Sequence, residues 1–229
     1  MATIEGQNTI LLSRGAEAEV YIVDFFGLRA VMKKRISKKY RAKLFDEVFI
    51  RNRTRVEARV LSELYEAGLS VPSILFVDEE NGVLIVEYIE GVRASESFEK
   101  FDLGKATSIS RRIGGFAARM HSLGIYHGDY TLANVLLRES EVYVIDFGLS
   151  GYSSDVEEYA IDLHLMARSI KASRPLDAEV LIKAMLDEYG SHYRGDYREV
   201  LNRMKEISVR GRYIDRELRK SIMRERYIA

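Results

Sequence analysis

Three short stretches of this sequence carry groups suited to one reaction. His127-Gly128-Asp129 is followed, five positions after the aspartate, by Asn134, and Asp146-Phe147-Gly148 follows the apolar run Val142-Tyr143-Val144-Ile145. Transfer of a phosphoryl group from ATP needs a carboxylate to accept or orient the proton of the incoming nucleophile, here Asp129. It also needs oxygen ligands for the metal ions that neutralise the phosphates, here the Asn134 amide and the Asp146 carboxylate. Such donors suit Mg²⁺, whose octahedron phosphate oxygens and water complete. Either motif alone is unspecific. Both together, in this order and at this offset, are specific. An acid at the end of an apolar strand is costly to bury without a partner, which marks Asp146 again.

Other residues admit two readings. Gly15 lies between two strand-like segments, where it serves either as a plain hairpin turn or as a backbone that lets phosphate oxygens approach. A full G-x-G-x-x-G is missing. Lys33 ends the apolar segment Ala30-Val31-Met32, and strand alternation puts it on the face opposite Lys34. Glu57 either orients Lys33 from a helix or closes the capping box Thr54-x-x-Glu57. His127 is expected to brace its loop rather than transfer protons. Asp162, in Ala160-Ile161-Asp162-Leu163, either anchors that loop from a helix or is an ordinary polar position.

The elements that must carry these groups follow from periodicity. Strands are expected at Ile10–Leu12, Val20–Val23, Leu28–Met32, Ser73–Val77 and Val83–Tyr88, with Phe26-Gly27 as a tight turn. A long helix is expected to end near Ala67, stopped by Gly68. Beyond Gly91 the pattern turns helical: Ile109, Ile113, Phe116, Met120 and Leu123 share one face, and Gly124 ends the run. Short strands at Val135–Leu137 and Val142–Ile145 precede helices near 154–172, 177–189 and 196–207. The fold class is α+β, with a small antiparallel lobe at residues 1–90 and a mainly helical lobe at residues 91–229, hinged at Glu90-Gly91.

Composition narrows the class. The chain has 229 residues, of which 47% are apolar, enough for a core. It has no cysteine, which excludes disulfides and thiolate chemistry. No basic-then-apolar leader is visible and no apolar run approaches the ~18 residues that span a bilayer, so a cytoplasmic protein without membrane association is expected. The net charge is zero but uneven: residues 33–55 hold ten Lys/Arg against Asp46 and Glu47, and residues 203–229 hold nine against four acids. These blocks are either faces for phosphate-rich partners or solvated helix surfaces.

The chain resembles the protein-kinase superfamily and, most specifically, the p53-related protein kinase family, the small atypical kinase/ATPase subunit of the KEOPS complex that makes threonylcarbamoyladenosine on tRNA. Four stretches carry the resemblance: Gly15-Ala16-Glu17-Ala18; Val31-Met32-Lys33-Lys34-Arg35 with Lys39-Tyr40-Arg41; Arg53-Thr54-Arg55-Val56-Glu57-Ala58-Arg59; and His127 through Ser150. The resemblance implies a bilobal kinase-like fold. It implies that Lys33, Glu57 and Asp129 are catalytic. ATP is then met by Gly15, Ala16, Glu17, Ala18 and Lys33, by the backbone at Glu87 and Ile89, and by Asn134 and Asp146, the last two through Mg²⁺. It further implies a carbamoyl-transferase partner, other complex subunits, and tRNA contact through the basic tail and the 33–55 region. Gly128 replaces the arginine that in ordinary kinases docks a phosphorylated loop, and no A-P-E segment follows Gly148, so the usual peptide platform is missing. Two other readings remain at this stage. One is a small-molecule phosphotransferase of the aminoglycoside-kinase type, and the other is a non-catalytic scaffold binding tRNA and partners.

Overall fold

The two-residue period of β structure and two glycine stops account for most of the architecture. The computed structural model describes residues 9–209 except 16, 39, 40 and 140. The chain forms two compact units: one runs to Phe101 and takes back Leu132–Gly151, and the other comprises Asp102–Thr131 and the chain from Tyr152.

The first unit is built on an antiparallel sheet of β1 (Ile10–Arg14), β2 (Ala18–Phe25), β3 (Leu28–Arg35), β4 (Ile74–Asp78) and β5 (Val83–Glu87), in the order β1-β2-β3-β5-β4. Phe26 and Gly27 both have positive φ, 53° and 82°, which matches the twist a two-residue hairpin requires between β2 and β3. Val23, Ala30 and Ile85 form a buried cluster with Tyr21, Phe25 and Met32 packed against it. Because side chains alternate along a strand, Ala30 and Met32 share that face of β3, while Val31, Lys33 and Arg35 point to the other.

Helix α1 (Lys43–Glu66) buries Thr54, Glu57, Ala58, Leu61 and Leu64, residues at spacings of three and four. Its end is a Schellman motif. Gly68 takes φ 72°, Leu69 N–H reaches Leu64 O at 3.0 Å, and Gly68 N–H reaches Tyr65 O at 2.9 Å. The expected stop at Gly68 is therefore correct. Strand β6 (Val92–Arg93) pairs with β8 (Val135–Arg138), which pairs with β9 (Glu141–Val144). The helix α2 (Ala94–Ser97) follows β6.

In the second unit, α3 (Leu103–Ser122) is capped by Asp102, whose side chain accepts from Lys105 N–H, and is stopped by Gly124 at φ 75°. The two-residue strand β7 (Ile125–Tyr126) comes next. Helices α4 (Val156–Ser173) and α5 (Ala178–His192) follow, and residues 197–209 are helical. Gly114 lets α3 approach α5 closely, since a Cβ there would sit 2.0 Å from Met185 O. Among the described residues no helix is long and apolar enough to cross a membrane.

Candidate active site

Lys33 and Arg35 are two residues apart on β3 and therefore point to one face. Both reach the same carboxylate on α1: Lys33 Nζ lies 2.7 Å from Glu57 Oε1, and Arg35 Nη2 lies 2.6 Å from Glu57 Oε2. Glu57 is 3% exposed, so two cations neutralise a charge that would otherwise be expensive to bury. The capping reading of Glu57 is overturned. Thr54 lies in mid-helix, where its Oγ1 donates to Ile50 O at 2.9 Å, and the helix begins eleven residues earlier at Lys43.

Lys33 Nζ also contacts Asp146 Oδ1 at 2.6 Å. Burial opposes the lysine's charge, but the Glu57 and Asp146 carboxylates outweigh it and hold its pKa above the ordinary value. Asp146 takes φ 62°, the left-handed region that aspartate tolerates better than most residues and that Phe26 and Glu139 also adopt at turns. Its side chain is 54% exposed and so accessible to a ligand. Gly148 is required by this arrangement, because a Cβ there would meet Lys33 Nζ at 2.6 Å and Asp146 Oδ1 at 3.1 Å.

Asn134 is buried at the end of a short 3₁₀ turn, Leu132–Asn134. Its carbonyl accepts from Ile145 N–H at 2.9 Å, which sets it beside the strand that leads into Asp146. The amide and carboxylate oxygens are hard donors, as Mg²⁺ requires. Among the described residues no three or more His, Cys, Asp or Glu side chains gather as a metal cage. A two-residue oxygen set suits an ion that takes most of its ligands from phosphate and water.

The turn joining β1 and β2 is closed by Gly15 N–H to Ala18 O at 2.9 Å. Among the described residues nothing demands glycine there: its φ is not left-handed, and a Cβ would meet Ala18 O at 3.5 Å. Glu17 pairs with Arg41 at 3.4 Å, and Ala18 stands across from Arg35. Ala16, like Lys39, Tyr40 and the tail beyond residue 209, lies outside the described residues. Glu87 closes β5. Its N–H donates to Ser73 O at 2.9 Å and its carboxylate accepts from Ser73 Oγ at 3.0 Å, so both are committed within this unit. Ile89 is buried.

In the second unit, the loop after β7 is held from inside. The buried Asp162 on α4 accepts from His127 N–H at 2.6 Å and from Gly128 N–H at 2.9 Å. It also faces His121 Nε2 at 3.3 Å, and His121 Nδ1 lies 3.1 Å from the Tyr189 hydroxyl. His127 is fully buried, and its Nδ1 accepts from Asp129 N–H at 3.2 Å, a bracing position. The side chain of Asp129 is exposed. The loop-anchor reading of Asp162 is therefore the correct one.

Two residues went without a role in the sequence: Arg35, and Arg53, whose guanidinium contacts the carbonyls of Gly148 and Ser150. The signal was spacing. Arg35 is i+2 from Lys33 on a strand, and Arg53 is i−4 from Glu57 on a helix.

Comparison with known proteins places this geometry. A model described as the lipopolysaccharide kinase (Kdo/WaaP) family matches residues 13–184. The KEOPS complex subunit Bud32 of Pyrococcus abyssi is 36% identical over 90% of this chain and 97% of its own length. A probable serine/threonine-protein kinase BUD32 homolog of Archaeoglobus fulgidus is 37% identical over 88% of this chain and 95% of its own. The chain belongs to the Bud32 family. Longer relatives exist: the chain matches 37% of the length of a probable bifunctional tRNA threonylcarbamoyladenosine biosynthesis protein of Methanothermobacter thermautotrophicus. The fold is protein-kinase-like. The Rio2 kinase of Chaetomium thermophilum, solved as an ADP/Mg²⁺-phosphoaspartate complex, matches with a TM-score of 0.62 at 17% identity, over 92% of this chain and 71% of that one. The family identifies a kinase-like phosphotransferase, as the motifs led one to expect.

Proposed function

We propose that this chain is an ATP-dependent Ser/Thr kinase and ATPase that supports tRNA threonylcarbamoyladenosine modification as a KEOPS-type subunit. The observation that carries the catalytic part is the Lys33–Glu57–Asp146 set, joined at 2.7 and 2.6 Å on one lysine. The assembly role rests on full-length relatives named as KEOPS subunits. Aminoglycoside phosphotransferase structures match at 14% and 20% identity, which carries a fold and no substrate.

In this reading Glu57 and Arg35 fix the lysine, and Lys33 orients the α- and β-phosphates. Gly15, with Ala16, Glu17 and Ala18, covers the nucleotide, and the backbone at Glu87 and Ile89 meets the base. Mg²⁺, held by Asn134 and Asp146, supplies charge neutralisation when bound. Asp129 orients a water for hydrolysis or a Ser/Thr hydroxyl for transfer and takes its proton. Asp162 and His127 hold the backbone from which Asp129 projects. The protein acts in the cytoplasm. Partners are a carbamoyl-transferase subunit and tRNA, the latter met by the basic tail and by the cations of the 33–55 region other than Lys33, Arg35 and Arg53, which are engaged within the chain.

The test is ATP turnover by the intact chain and Asp129→Ala, each with and without the cognate carbamoyl-transferase subunit and tRNA. Loss of about 10²–10⁴-fold in the variant is expected, with stimulation by partner and tRNA in the intact chain. Undiminished turnover in the variant removes the catalytic assignment. Absence of stimulation removes the assembly role.

A further inference from the structure

Kinase-like sites need the lysine–glutamate pair and the metal-holding aspartate in place together, and many kinases achieve this through a phosphorylated loop. The present chain has Gly128 where such a loop's arginine would stand, and α4 begins at Val156, eight residues after Gly148. Something else must join α1 to the segment that carries Asp146.

We infer that Arg53 is that joint: a positioning residue that fixes residues 146–150 to α1 and makes the nucleotide site assembled without modification. One turn of helix separates Arg53 from Glu57, so both project from the same face of α1. The Arg53 guanidinium reaches Gly148 O through Nη2 and Ser150 O through Nη1, the latter at 3.4 Å. A planar fork of N–H donors suits two carbonyls on one short segment, and a lysine cannot reproduce it. The receiving segment is itself ordered. Ser150 donates to Phe147 O from its hydroxyl at 2.7 Å and from its N–H at 3.0 Å, and Phe147 and Ser150 are both buried.

The contacts make a triangle of three elements distant in sequence. Lys33 joins β3 to residue 146 at 2.6 Å, and Arg35 joins β3 to Glu57 on α1 at 2.6 Å. Arg53 supplies the third side, and its own carbonyl lies 3.5 Å from Arg35 Nη2. Removing the third side takes away the direct contact between α1 and the segment that follows Asp146.

The inference rests on the proposed nucleotide site, and its test separates the two. Hydrogen–deuterium exchange of the nucleotide-free protein is compared for the intact chain, Arg53→Met and Arg53→Lys. Amides of 147–151 are expected to exchange roughly 10-fold faster in Arg53→Met, at an intermediate rate in Arg53→Lys, and α3 amides at the parental rate. Kinetics follow: kcat falls about 10–100-fold in Arg53→Met at saturating ATP, with partial rescue by lysine. The Mg²⁺ concentration for half-maximal turnover rises in the same order. Should Arg53→Met not fold, the lysine variant alone carries both readouts. Unchanged exchange at 147–151 overturns the joint, whatever the kinetics. Faster exchange with unchanged kcat and Mg²⁺ response overturns its positioning role. An Asp146→Asn control that retains full turnover points instead to failure of the nucleotide site itself.

Discussion

The charged triangle around Lys33 and the buried anchor beneath His127 do the same kind of work by opposite means. In the first, long side chains of opposite charge meet: Lys33, Arg35 and Arg53 against Glu57, Asp146 and two carbonyls. Asp146 is more than half exposed. In the second, one fully buried carboxylate, Asp162, takes two backbone N–H groups and faces a buried histidine. The Lys33–Asp146 pair, open on the aspartate side, gains little net stability, while Glu57 stays buried between its two cations. Hydrogen bonds to a buried carboxylate cannot be lost without stranding the donors. A site whose lysine must change partners when a ligand arrives is suited to the first design. A loop that must keep one aspartate in place is suited to the second.

Asp162→Ala should show the largest effect and breaks the comparison if it does not. It leaves the buried His127 N–H and the half-buried Gly128 N–H without their acceptor, so roughly 2–4 kcal/mol of stability should be lost in urea denaturation. A cost below that of Lys33→Met would reverse the ranking of the two regions.

Lys33→Met comes second. Lys33 is largely buried, but Arg35 keeps Glu57 compensated after its loss, so the same titration should register only about 1–2 kcal/mol, less than stranding a buried charge, while ATP turnover falls on the order of 100-fold. A loss as large as that of Asp162→Ala would make the triangle a structural core rather than a ligand-responsive site.

Gly148→Ala sharpens the picture further. The added methyl displaces the Lys33 ammonium from Asp146, a flexible group that moves cheaply, so the unfolding midpoint should hardly change while turnover falls about 10-fold. Parental turnover would mean that the Lys33–Asp146 contact is dispensable.

The smallest effect is in pH. The folded-state pKa of Lys33 lies above its unfolded value near 10.4. The stabilisation is therefore fully present below that unfolded value and is lost only as pH rises through the higher folded one. The stability gap between the parent and Lys33→Met should be flat from pH 7 to about 10 and shrink above it. A gap that already narrows between pH 7 and 9 contradicts the double pairing.

Much of this was legible in the chain itself. The β3 alternation sorted Lys33 from Lys34, Gly68 and Gly124 marked two helix ends, and the H-G-D and D-F-G motifs marked the candidate site. The start of α1 was not legible. Its first turns carry Leu44, Phe45 and Val48 exposed, Ala42 provides no side-chain cap, and Thr54-x-x-Glu57 imitates a start further on. Arg35 and Arg53 were passed over for a different reason. Their spacing was visible, but their partners are a residue 22 positions away and carbonyls 95 and 97 positions away, which only tertiary structure brings together. The return of Leu132–Gly151 to the first unit is non-local in the same sense.

The proposed role of the triangle around Lys33 is to hold a metal-bound nucleotide. Calorimetric titration with ADP, with and without Mg²⁺, tests it most directly in the intact chain and in Asp146→Asn. The account predicts that Mg²⁺ tightens ADP binding to the intact chain and leaves the variant nearly indifferent to the metal. An equal Mg²⁺ gain in both proteins would contradict it.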